Sequence, residues 1–358
     1  MFIAGEASGD AHAAALIAAL REREPGLQVF GAGGVKMQAA GMELVLDLTE
    51  HAVVGIVGVL KKYREFRRMF FELVRLAEER EPDAVVLVDY PGFNLRFAKQ
   101  MKQRGIKVIY YISPQLWAWH ASRSKQIERD VALMLTIFPF EKDWYAKHAP
   151  KLHAEFAGNP MAERFADNLE SRIRNPKLVL LLPGSRVEEV ERIFPVMKDV
   201  VNQMPGDIEF VAAAVDERTA AMMRHPQVRV EVGSSQRWMG EAALAITASG
   251  TATMECAFLG CLMVVVYKVN WLTYLVGRLL VRVSWLAMPN VIANRTIVPE
   301  FIQHDAQPER IAAAAGELLR DAEKRATMQR ELAAVVRSLG GRGAGGRAAD
   351  LILKEISA

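Results

Sequence analysis

The sequence lacks the features that would assign it at once to a membrane-spanning or a secreted class. Hydrophobic residues make up 51% of the 358-residue chain, yet no run of about 18 uncharged apolar residues is available to cross a bilayer. The first residues carry no basic leader followed by an apolar segment, so no signal peptide is expected. We therefore predict a cytoplasmic protein.

Cysteine and net charge are also scarce, and each scarcity excludes a class of function. The two cysteines, Cys256 and Cys261, have a spacing that matches no zinc motif, so two buried and reduced thiols are expected. The net charge of +3 is compatible with anionic ligands or lipid head groups, but it is too small to indicate nucleic-acid binding.

What the sequence does contain is an alternation of short apolar strands and helices in each half of the chain. A clipped strand, a glycine turn at 5–10 and an alanine-rich helix begin the first half, as in a βαβ unit. The turn lacks the GxGxxG pattern, so it is weak evidence for a dinucleotide. We predict α/β domains at 1–160 and 161–340, and a terminal helix within 341–358 that packs on the first domain.

The segment 242–259 holds the main candidate for ligand binding. It predicts a strand, a Ser-Gly-Thr turn and a helix, and the unpaired N–H groups at the start of a helix suit a phosphate. Gly250 lets a ligand approach the backbone, and Ser249 or Thr251 can add a hydroxyl donor. Glu255, one turn further on, can accept hydrogen bonds from a ribose. The alternative is an ordinary capped helix with Glu255 as a solvated acid.

Two further candidates directly follow predicted strands. Asp89 ends the apolar strand 82–89, and ligands bind at the carboxyl ends of the strands in an open parallel sheet. The alternative role of Asp89 is to cap the next helix. Arg186 lies in the turn after strand 178–182, where a guanidinium can bind a diphosphate through two hydrogen bonds. Its alternative role is a salt bridge to the acids that follow it.

Two apolar segments flanked by cations suggest contact with a membrane or with lipid. Residues 52–60 are uncharged and run directly into Lys61 and Lys62, a composition that seats a protein on an anionic membrane surface. Residues 270–286 combine aromatic side chains with two arginines on a largely apolar helix. In each case the alternative is a segment buried in the core.

Six motifs, spread in order along nearly the whole chain, closely resemble those of the lipid-A-disaccharide synthase family. They are GEASGD at 5–10, SPQLWAW at 113–119, FPFE at 138–141, LPGSR at 182–186, ASGTA at 248–252 and MPN at 288–290. The chain departs from the family pattern in having only residues 1–4 before the first motif, where members usually have several more. A start placed too late or a shortened first strand would explain this difference.

The resemblance implies a GT-B glycosyltransferase with two Rossmann-like, doubly wound parallel-sheet domains that face a cleft. It implies an inverting transfer in lipid A assembly: UDP-2,3-diacylglucosamine and 2,3-diacylglucosamine 1-phosphate give a β(1→6)-linked disaccharide 1-phosphate and UDP. The chain has no Asp-x-Asp pair of the kind that would hold a metal ion. No metal and no cofactor are therefore expected.

The resemblance also gives the candidate residues chemical roles. Inversion needs a base that takes the proton of the attacking hydroxyl and groups that stabilise the departing diphosphate. The predicted roles are Asp89 as the base with Glu6 as the alternative, Ser185, Arg186, Ser249, Gly250 and Thr251 at the diphosphate, Glu255 at the ribose, and Ser8, Asn290 and Gln303 at the acceptor or the cleft.

Both substrates carry acyl chains, so the resemblance favours the membrane interpretation of the apolar segments. The predicted membrane or acyl contacts are Val54, Ile56, Val57, Leu60, Lys61, Lys62, Trp271, Leu275 and Arg278. We expect a peripheral protein on the inner face of the inner membrane, with an anionic membrane surface as a partner, a homodimer as an open option and no nucleic acid.

Two alternatives to this function stay open at the level of sequence. A GT-B sugar-nucleotide epimerase or hydrolase would share the nucleotide turn and the crevice, but it would need no membrane patch. A peripheral membrane scaffold with a Rossmann-like core would have no activity that depends on Asp89.

Overall fold

The chain folds into two compact α/β units, each built on one parallel sheet. The structure, a computed structural model, describes residues 1–49, 56–165, 175–280 and 283–357. Unit 1 comprises Met1–Glu163 together with Leu339–Ala358, and unit 2 comprises Arg164–Ser338. The sequence prediction had placed the domain boundaries after residues 160 and 340.

Unit 1 contains a seven-stranded parallel sheet with the strand order β3-β2-β1-β4-β5-β6-β7. The strands are β1 (Phe2–Ala4), β2 (Phe30–Gly33), β3 (Glu43–Asp47), β4 (Ala84–Val88), β5 (Lys107–Tyr111), β6 (Leu133–Thr136) and β7 (His153–Phe156). The helices are α1 (Ala7–Arg23), α2 (Val35–Ala39), α3 (Ile56–Arg80), α4 (Pro91–Gln103), α5 (Leu116–Trp119), α6 (Ser124–Asp130), α7 (Pro139–His148) and α8 (Met161–Arg164), with a short 3₁₀ turn at Ala121–Arg123.

The apolar run of β4 is explained by helices on both faces of the sheet. All five residues of β4 are buried, and because successive side chains of a strand point to opposite faces, they divide between two clusters. Val85 and Leu87 belong to the same cluster as Phe97 of α4. Val86 and Val88 belong to a second cluster, with side chains of α1.

Unit 2 contains a six-stranded parallel sheet with the strand order β10-β9-β8-β11-β12-β13. The strands are β8 (Asn175–Leu182), β9 (Glu209–Ala214), β10 (Val228–Val232), β11 (Ala242–Ala248), β12 (Leu262–Tyr267) and β13 (Glu300–Ile302). The helices are α9 (Val187–Gln203), α10 (Glu217–Met222), α11 (Ser235–Glu241), α12 (Thr251–Phe258), α13 (Trp271–Leu280), α14 (Met288–Ala293), α15 (Pro308–Arg320) and α16 (Ala322–Ser338), with a 3₁₀ turn at Gln303–Asp305.

The last helix, α17 (Ala344–Ser357), belongs to unit 1. Ala348, Ala349 and Ile352 are buried in the cluster that also contains side chains of α1. Asp350 forms an ion pair with Arg23 at the end of α1. The helix begins at Ala344, so the glycines at 345 and 346 lie inside its first turn.

Both sheets have the doubly wound arrangement, in which the strand order reverses once. The reversal lies between β1 and β4 in unit 1 and between β8 and β11 in unit 2. In such sheets the ligand crevice lies outside the carboxyl ends of the strands at the reversal. Each unit therefore offers one such location, and the residues that follow these four strands are the candidates.

One predicted membrane segment is only partly covered by the described part of the chain. Val54 lies outside the described residues. The predicted contacts at Ile56, Val57, Leu60, Lys61 and Lys62 lie at the start of α3, where the backbone is described and the side chains are not. Among the helices that the structure describes, none combines the length and the apolar character needed to cross a membrane.

Candidate active site

The carboxyl end of β4 forms an unusual backbone corner at Asp89. Asp89 and Tyr90 have φ angles of 47° and 49°, in the left-handed region that residues other than glycine rarely occupy. Such conformations cost free energy and persist only where neighbouring groups hold them. Two consecutive residues in this conformation, at the reversal of strand order, therefore make this corner a candidate functional site.

Buried side chains hold this corner from behind. The carbonyl oxygen of Asp89 accepts hydrogen bonds from the Tyr110 hydroxyl at 2.6 Å and from Asn94 Nδ2 at 2.7 Å, and both of these side chains are buried. The N–H of Asp89 donates to the carbonyl of Tyr111 at 3.0 Å. With both backbone polar groups engaged, the backbone at Asp89 is held in this conformation.

The first motif lies beside this corner because β1 pairs with β4. A Cβ at Gly5 would come within 2.2 Å of the Tyr90 ring, so only glycine fits there. Glu6 follows as the exposed residue before α1, and Ser8 is exposed in the first turn of that helix. The structure thus brings together Asp89 and Glu6, the two candidate bases.

The environment of Asp89 changes its acidity. Burial raises the pKa of Asp89 from its ordinary value of 3.8 to about 6, with a further increase from the charge of Glu6. A hydrogen bond from the Tyr90 N–H acts in the opposite direction. Burial penalises the charged form, and a nearby like charge does the same. Asp89 is therefore a carboxylate that binds and releases a proton near pH 6.

Asp89 lines a cavity of about 250 Å³ in unit 1. The second motif, 113–119, and the Phe138 end of the third motif also line it. Trp119, His120 and Arg123 complete one part of the wall, and Trp119 is 52% exposed. The cavity therefore combines apolar surface, one carboxylate and cationic or polar side chains.

A buried acid, Glu141, anchors the motif that forms the cavity wall. One oxygen of Glu141 accepts from Trp117 Nε1 at 3.1 Å, and the other accepts from the backbone N–H groups of Ile137 and Phe138 at 3.2 and 3.0 Å. Burial raises the pKa of Glu141 to about 7, although these hydrogen bonds oppose the shift. Ser113, at the start of the motif, bonds to the Tyr145 hydroxyl at 2.9 Å.

In unit 2, the Ser-Gly-Thr turn after β11 is open to a ligand. Gly250 is exposed and precedes α12, and a Cβ built on it would meet nothing within 4 Å. Thr251 is exposed at the first position of the helix. Ser249 is different, because its hydroxyl already donates to the carbonyl of Leu286 at 2.9 Å. The N–H groups of the turn are thus the available donors, together with the Thr251 hydroxyl.

The turn after β8 presents Arg186 to solvent. Glu189 holds the turn, since its Oε2 accepts from the N–H groups of Ser185 and Arg186 at 2.9 and 3.3 Å. The Arg186 guanidinium lies 3.6 Å from the other oxygen of Glu189 and is 66% exposed. The ion pair with Glu189 and the binding of an anion are both compatible with this arrangement, because a loose, exposed ion pair leaves the guanidinium free to bind an anion.

Glu255 lies on α12, one turn after the open turn, as the spacing predicted. Its Oε1 accepts from Gln236 Nε2 at 3.1 Å and lies 3.6 Å from Arg164 Nη1. These contacts hold the carboxylate in one place. Its use by a ribose stays a prediction.

Asn290 and Gln303 have internal partners that the sequence did not reveal. Asn290 is fully buried: its oxygen accepts from the N–H groups of Ile297 and Val298, and its Nδ2 donates to Glu300 Oε1 at 2.6 Å. Gln303 bonds to the N–H and the carbonyl of Val269 at 3.1 and 2.8 Å. Both side chains organise loops at the carboxyl edge of the sheet. A direct contact with acceptor stays a prediction for each of them.

The predicted lipid-contacting helix, α13, is exposed where its side chains are described. Trp271 and Leu275 are 70% and 60% exposed, and Arg278 is exposed near the end of the helix. The Trp271 ring stacks on Tyr274 with 5.4 Å between the ring centroids.

Across residues 1–49, 56–165, 175–280 and 283–357, no group of three or more histidine, cysteine or acidic side chains is arranged to hold a metal ion.

Sequence comparison identifies the family. A family model described as lipid-A-disaccharide synthetase matches residues 1–350. The chain belongs to this family. It is 40% identical to the lipid-A-disaccharide synthase of Nitrosococcus oceani, covering 94% of this chain and 91% of that protein. It is 38% identical to that of Anaeromyxobacter dehalogenans, covering 99% and 96%.

Comparison with solved structures shows that this chain has the GT-B fold. The glycosyltransferase of kitacinnamycin matches with a TM-score of 0.67 at 18% identity, covering 99% of this chain and 98% of that one. A UDP-GlcNAc 2-epimerase from Neisseria meningitidis, bound to UDP-GlcNAc, matches with a TM-score of 0.66 at 13% identity, with the same coverage. At these identities the match shows the fold alone, and it confirms the predicted fold class.

The raised pKa of Asp89 predicts a stability cost near neutral pH. Between the ordinary pKa of 3.8 and the folded value of about 6, the folded state holds a proton that the unfolded state has lost. We expect Asp89→Asn to be more stable than the wild type at pH 7.5, by about 1–3 kcal/mol. Urea unfolding measures this difference, which should shrink as the pH falls towards about 4. A difference in stability between variant and wild type that is the same at both pH values would contradict it.

The bonds of Glu141 predict a loss of stability in Glu141→Ala. The N–H groups of Trp117, Ile137 and Phe138 would lose their buried acceptor. We expect a loss of about 1–3 kcal/mol in urea unfolding at about pH 4.5, well below the folded pKa of about 7, where relief of a buried charge contributes little. Asp143→Asn removes an exposed acid from the same helix and should leave the stability within about 0.5 kcal/mol of the wild type. Equal losses in both variants would argue against the anchoring role.

Proposed function

We propose that the chain joins UDP-2,3-diacylglucosamine to 2,3-diacylglucosamine 1-phosphate with inversion, giving the β(1→6)-linked disaccharide 1-phosphate and UDP. Family membership supports the class: a hexosyltransferase of lipid A biosynthesis that uses a UDP-sugar donor and a lipid A precursor as acceptor. The observation that carries the mechanism is the Asp89 carboxylate, held at the strand reversal with its pKa raised to about 6.

Asp89 is the proposed general base. The acceptor 6-hydroxyl attacks the anomeric carbon of the donor and gives its proton to the Asp89 carboxylate, while the bond from that carbon to the diphosphate oxygen breaks. A pKa of about 6 leaves the carboxylate ionised at neutral pH and still basic enough to accept the proton. Glu6 is exposed and contributes by raising the pKa of Asp89; it remains the alternative base.

Unit 2 supplies the groups that stabilise the UDP leaving group. The exposed Arg186 guanidinium and the open N–H groups at Gly250 and Thr251 follow β8 and β11, the two strands at the reversal. Positive charge and helix N–H groups there offset the charge that develops on the departing diphosphate. Ser185 contributes through the same turn as Arg186, and Glu255 is the proposed ribose ligand.

The remaining predicted residues support the site in different ways. Ser8 is exposed beside Glu6 and is proposed to contact the acceptor. Ser249 bonds to Leu286, whose N–H donates to Glu300 at 2.9 Å, and Asn290 bonds to the same carboxylate. Asn290 is therefore proposed to act through the loop behind the nucleotide turn, and Gln303 through the loop at Val269.

Because both proposed substrates carry acyl chains, we propose that the protein binds peripherally to an anionic membrane, at the cytoplasmic face of the inner membrane. The uncharged segment that includes Val54 leads into Lys61 and Lys62, and Trp271 and Leu275 are exposed on α13. Apolar side chains beside cations bind such surfaces by burying hydrocarbon and pairing with head groups. A homodimer is compatible with this proposal.

A transfer assay with both acylated sugars tests the function. Asp89→Asn removes the base, so we expect kcat to fall by about 10²- to 10⁴-fold, with UDP binding retained. Arg186→Ala should lower kcat and also weaken UDP binding, because the guanidinium is proposed to bind the diphosphate both as it departs and in the product UDP. Equal activity of wild type and Asp89→Asn would remove Asp89 from the mechanism.

Two controls separate the alternatives in the same assay. Glu6→Gln should keep most of the activity and move the acid limb of the pH profile to lower pH, because removing a negative charge lowers the pKa of Asp89. A collapse as deep as that of Asp89→Asn would instead make Glu6 the base. Donor incubated without acceptor should stay intact, whereas an epimerase or hydrolase would convert it.

Vesicle binding tests the membrane surface. Replacing Val54, Ile56 and Val57 together by serine should release the protein from anionic vesicles while the circular dichroism spectrum is unchanged, because the apolar area that enters the interface is lost. Val215→Ser, at an exposed valine of unit 2, is the matched control and should bind as the wild type does. Retained binding of the triple variant would count against this surface.

A further inference from the structure

The cavity that contains Asp89 also carries a positive charge, that of Arg123. Arg123 lines the cavity and is exposed, and within the described part of the chain no carboxylate pairs with its guanidinium. Arg129, at the end of the following helix, behaves differently, since it forms two hydrogen bonds with Asp130 at 2.6 and 2.7 Å. An arginine that lines a cavity without an internal partner is suited to bind an anion.

Arg123 stands on a rigid support. Its backbone N–H donates to the His120 carbonyl at 2.9 Å. The next helix is fixed by the Ser124 hydroxyl, which donates to the carbonyl of His148 at 3.1 Å, and by Gln126 Nε2, which donates to that of Leu95 at 3.1 Å. The guanidinium is thus attached to backbone that is already ordered, which lowers the entropy lost on binding.

Beside Arg123, the cavity wall offers an aromatic face. The Trp119 ring stacks on His120 with 5.0 Å between the ring centroids and 30° between the planes, and half of the Trp119 surface remains exposed. Pockets for small ligands combine such apolar faces with a few polar groups that fix orientation. A ring that carries both an apolar face and an anionic group fits this wall.

We propose that Trp119, His120 and Arg123 form the subsite for the phosphorylated acceptor sugar, with Arg123 binding its 1-phosphate. This inference rests on the proposed function, because the acceptor hydroxyl must reach Asp89 and both residues line one cavity. Asp89 and Glu6 repel an anion, so the phosphate is expected beside the cation. Trp119 packs against the sugar ring, and His120 supplies a further donor.

Steady-state kinetics with two acceptors tests the subsite. One acceptor is 2,3-diacylglucosamine 1-phosphate, and the other is the same sugar without the phosphate. We expect Arg123→Gln to raise KM for the phosphorylated acceptor about tenfold, as for the loss of one charge-assisted hydrogen bond, with kcat and the donor KM unchanged. With the unphosphorylated acceptor, wild type and variant should be equal. Arg123→Lys should recover most of the loss.

Two further measurements make the outcome decisive. Lys125→Gln removes an exposed cation two residues away that does not line the cavity, and it should behave as wild type. Glucosamine 1-phosphate should compete with the acceptor, about tenfold more weakly in Arg123→Gln than in the wild type. Unchanged vesicle binding by Arg123→Gln would separate the substrate phosphate from a lipid head group as the anion.

The subsite and the function fail in different ways. Transfer by the wild type with equal effects of Arg123→Gln on both acceptors, a raised donor KM, or no effect at all would overturn the subsite alone. Absence of transfer by the wild type would overturn the proposed function and the subsite with it.

Discussion

The reversal of strand order in each parallel sheet is the constraint on which the candidate site depends. β1 and β4 are paired neighbours in unit 1, as β8 and β11 are in unit 2, and from each pair the strand order continues in opposite directions. The crossovers on either side of a reversal leave in opposite directions and open a crevice at the carboxyl ends. Glu6 and Asp89 follow the first pair of strands, and Arg186 and the turn at 249–251 follow the second, so topology alone selects these positions.

Strain and burial then give the Asp89 corner its chemistry. Two left-handed residues in succession are costly, and the Tyr110 hydroxyl and the Asn94 amide hold them by bonding the Asp89 carbonyl. The same burial disfavours the charged carboxylate and raises its pKa. Backbone strain and a buried carboxylate both lower the stability of the folded state, and such local losses are typical of functional sites.

In both units, carboxylates that accept hydrogen bonds from backbone N–H groups hold the turns that follow the strands. Asp10 accepts from Gly34, Lys36 and Met37, and so fixes the turn before α2. Glu141 and Glu189 hold the starts of α7 and α9 in the same manner. A carboxylate that accepts several N–H bonds at a helix start is stabilised by the helix dipole as well. Asp10 and Glu141, which belong to two of the sequence motifs, thus hold backbone at the start of a helix.

The amino-acid sequence is enough to predict the α/β class and the positions of Asp89, Arg186 and the Ser-Gly-Thr turn, because apolar periodicity and strand ends are local properties. The family follows from the resemblance of the six motifs. Packing in three dimensions decides how Ser249, Asn290 and Gln303 are bonded, that Tyr110 and Glu141 are buried behind the cavity, and that Arg123 lines it. Ser249 bonds to Leu286 and Tyr110 bonds to Asp89, partners that lie 37 and 21 residues away in sequence. Burial, and the pKa shifts that follow from it, depend on packing between elements, which no local pattern records.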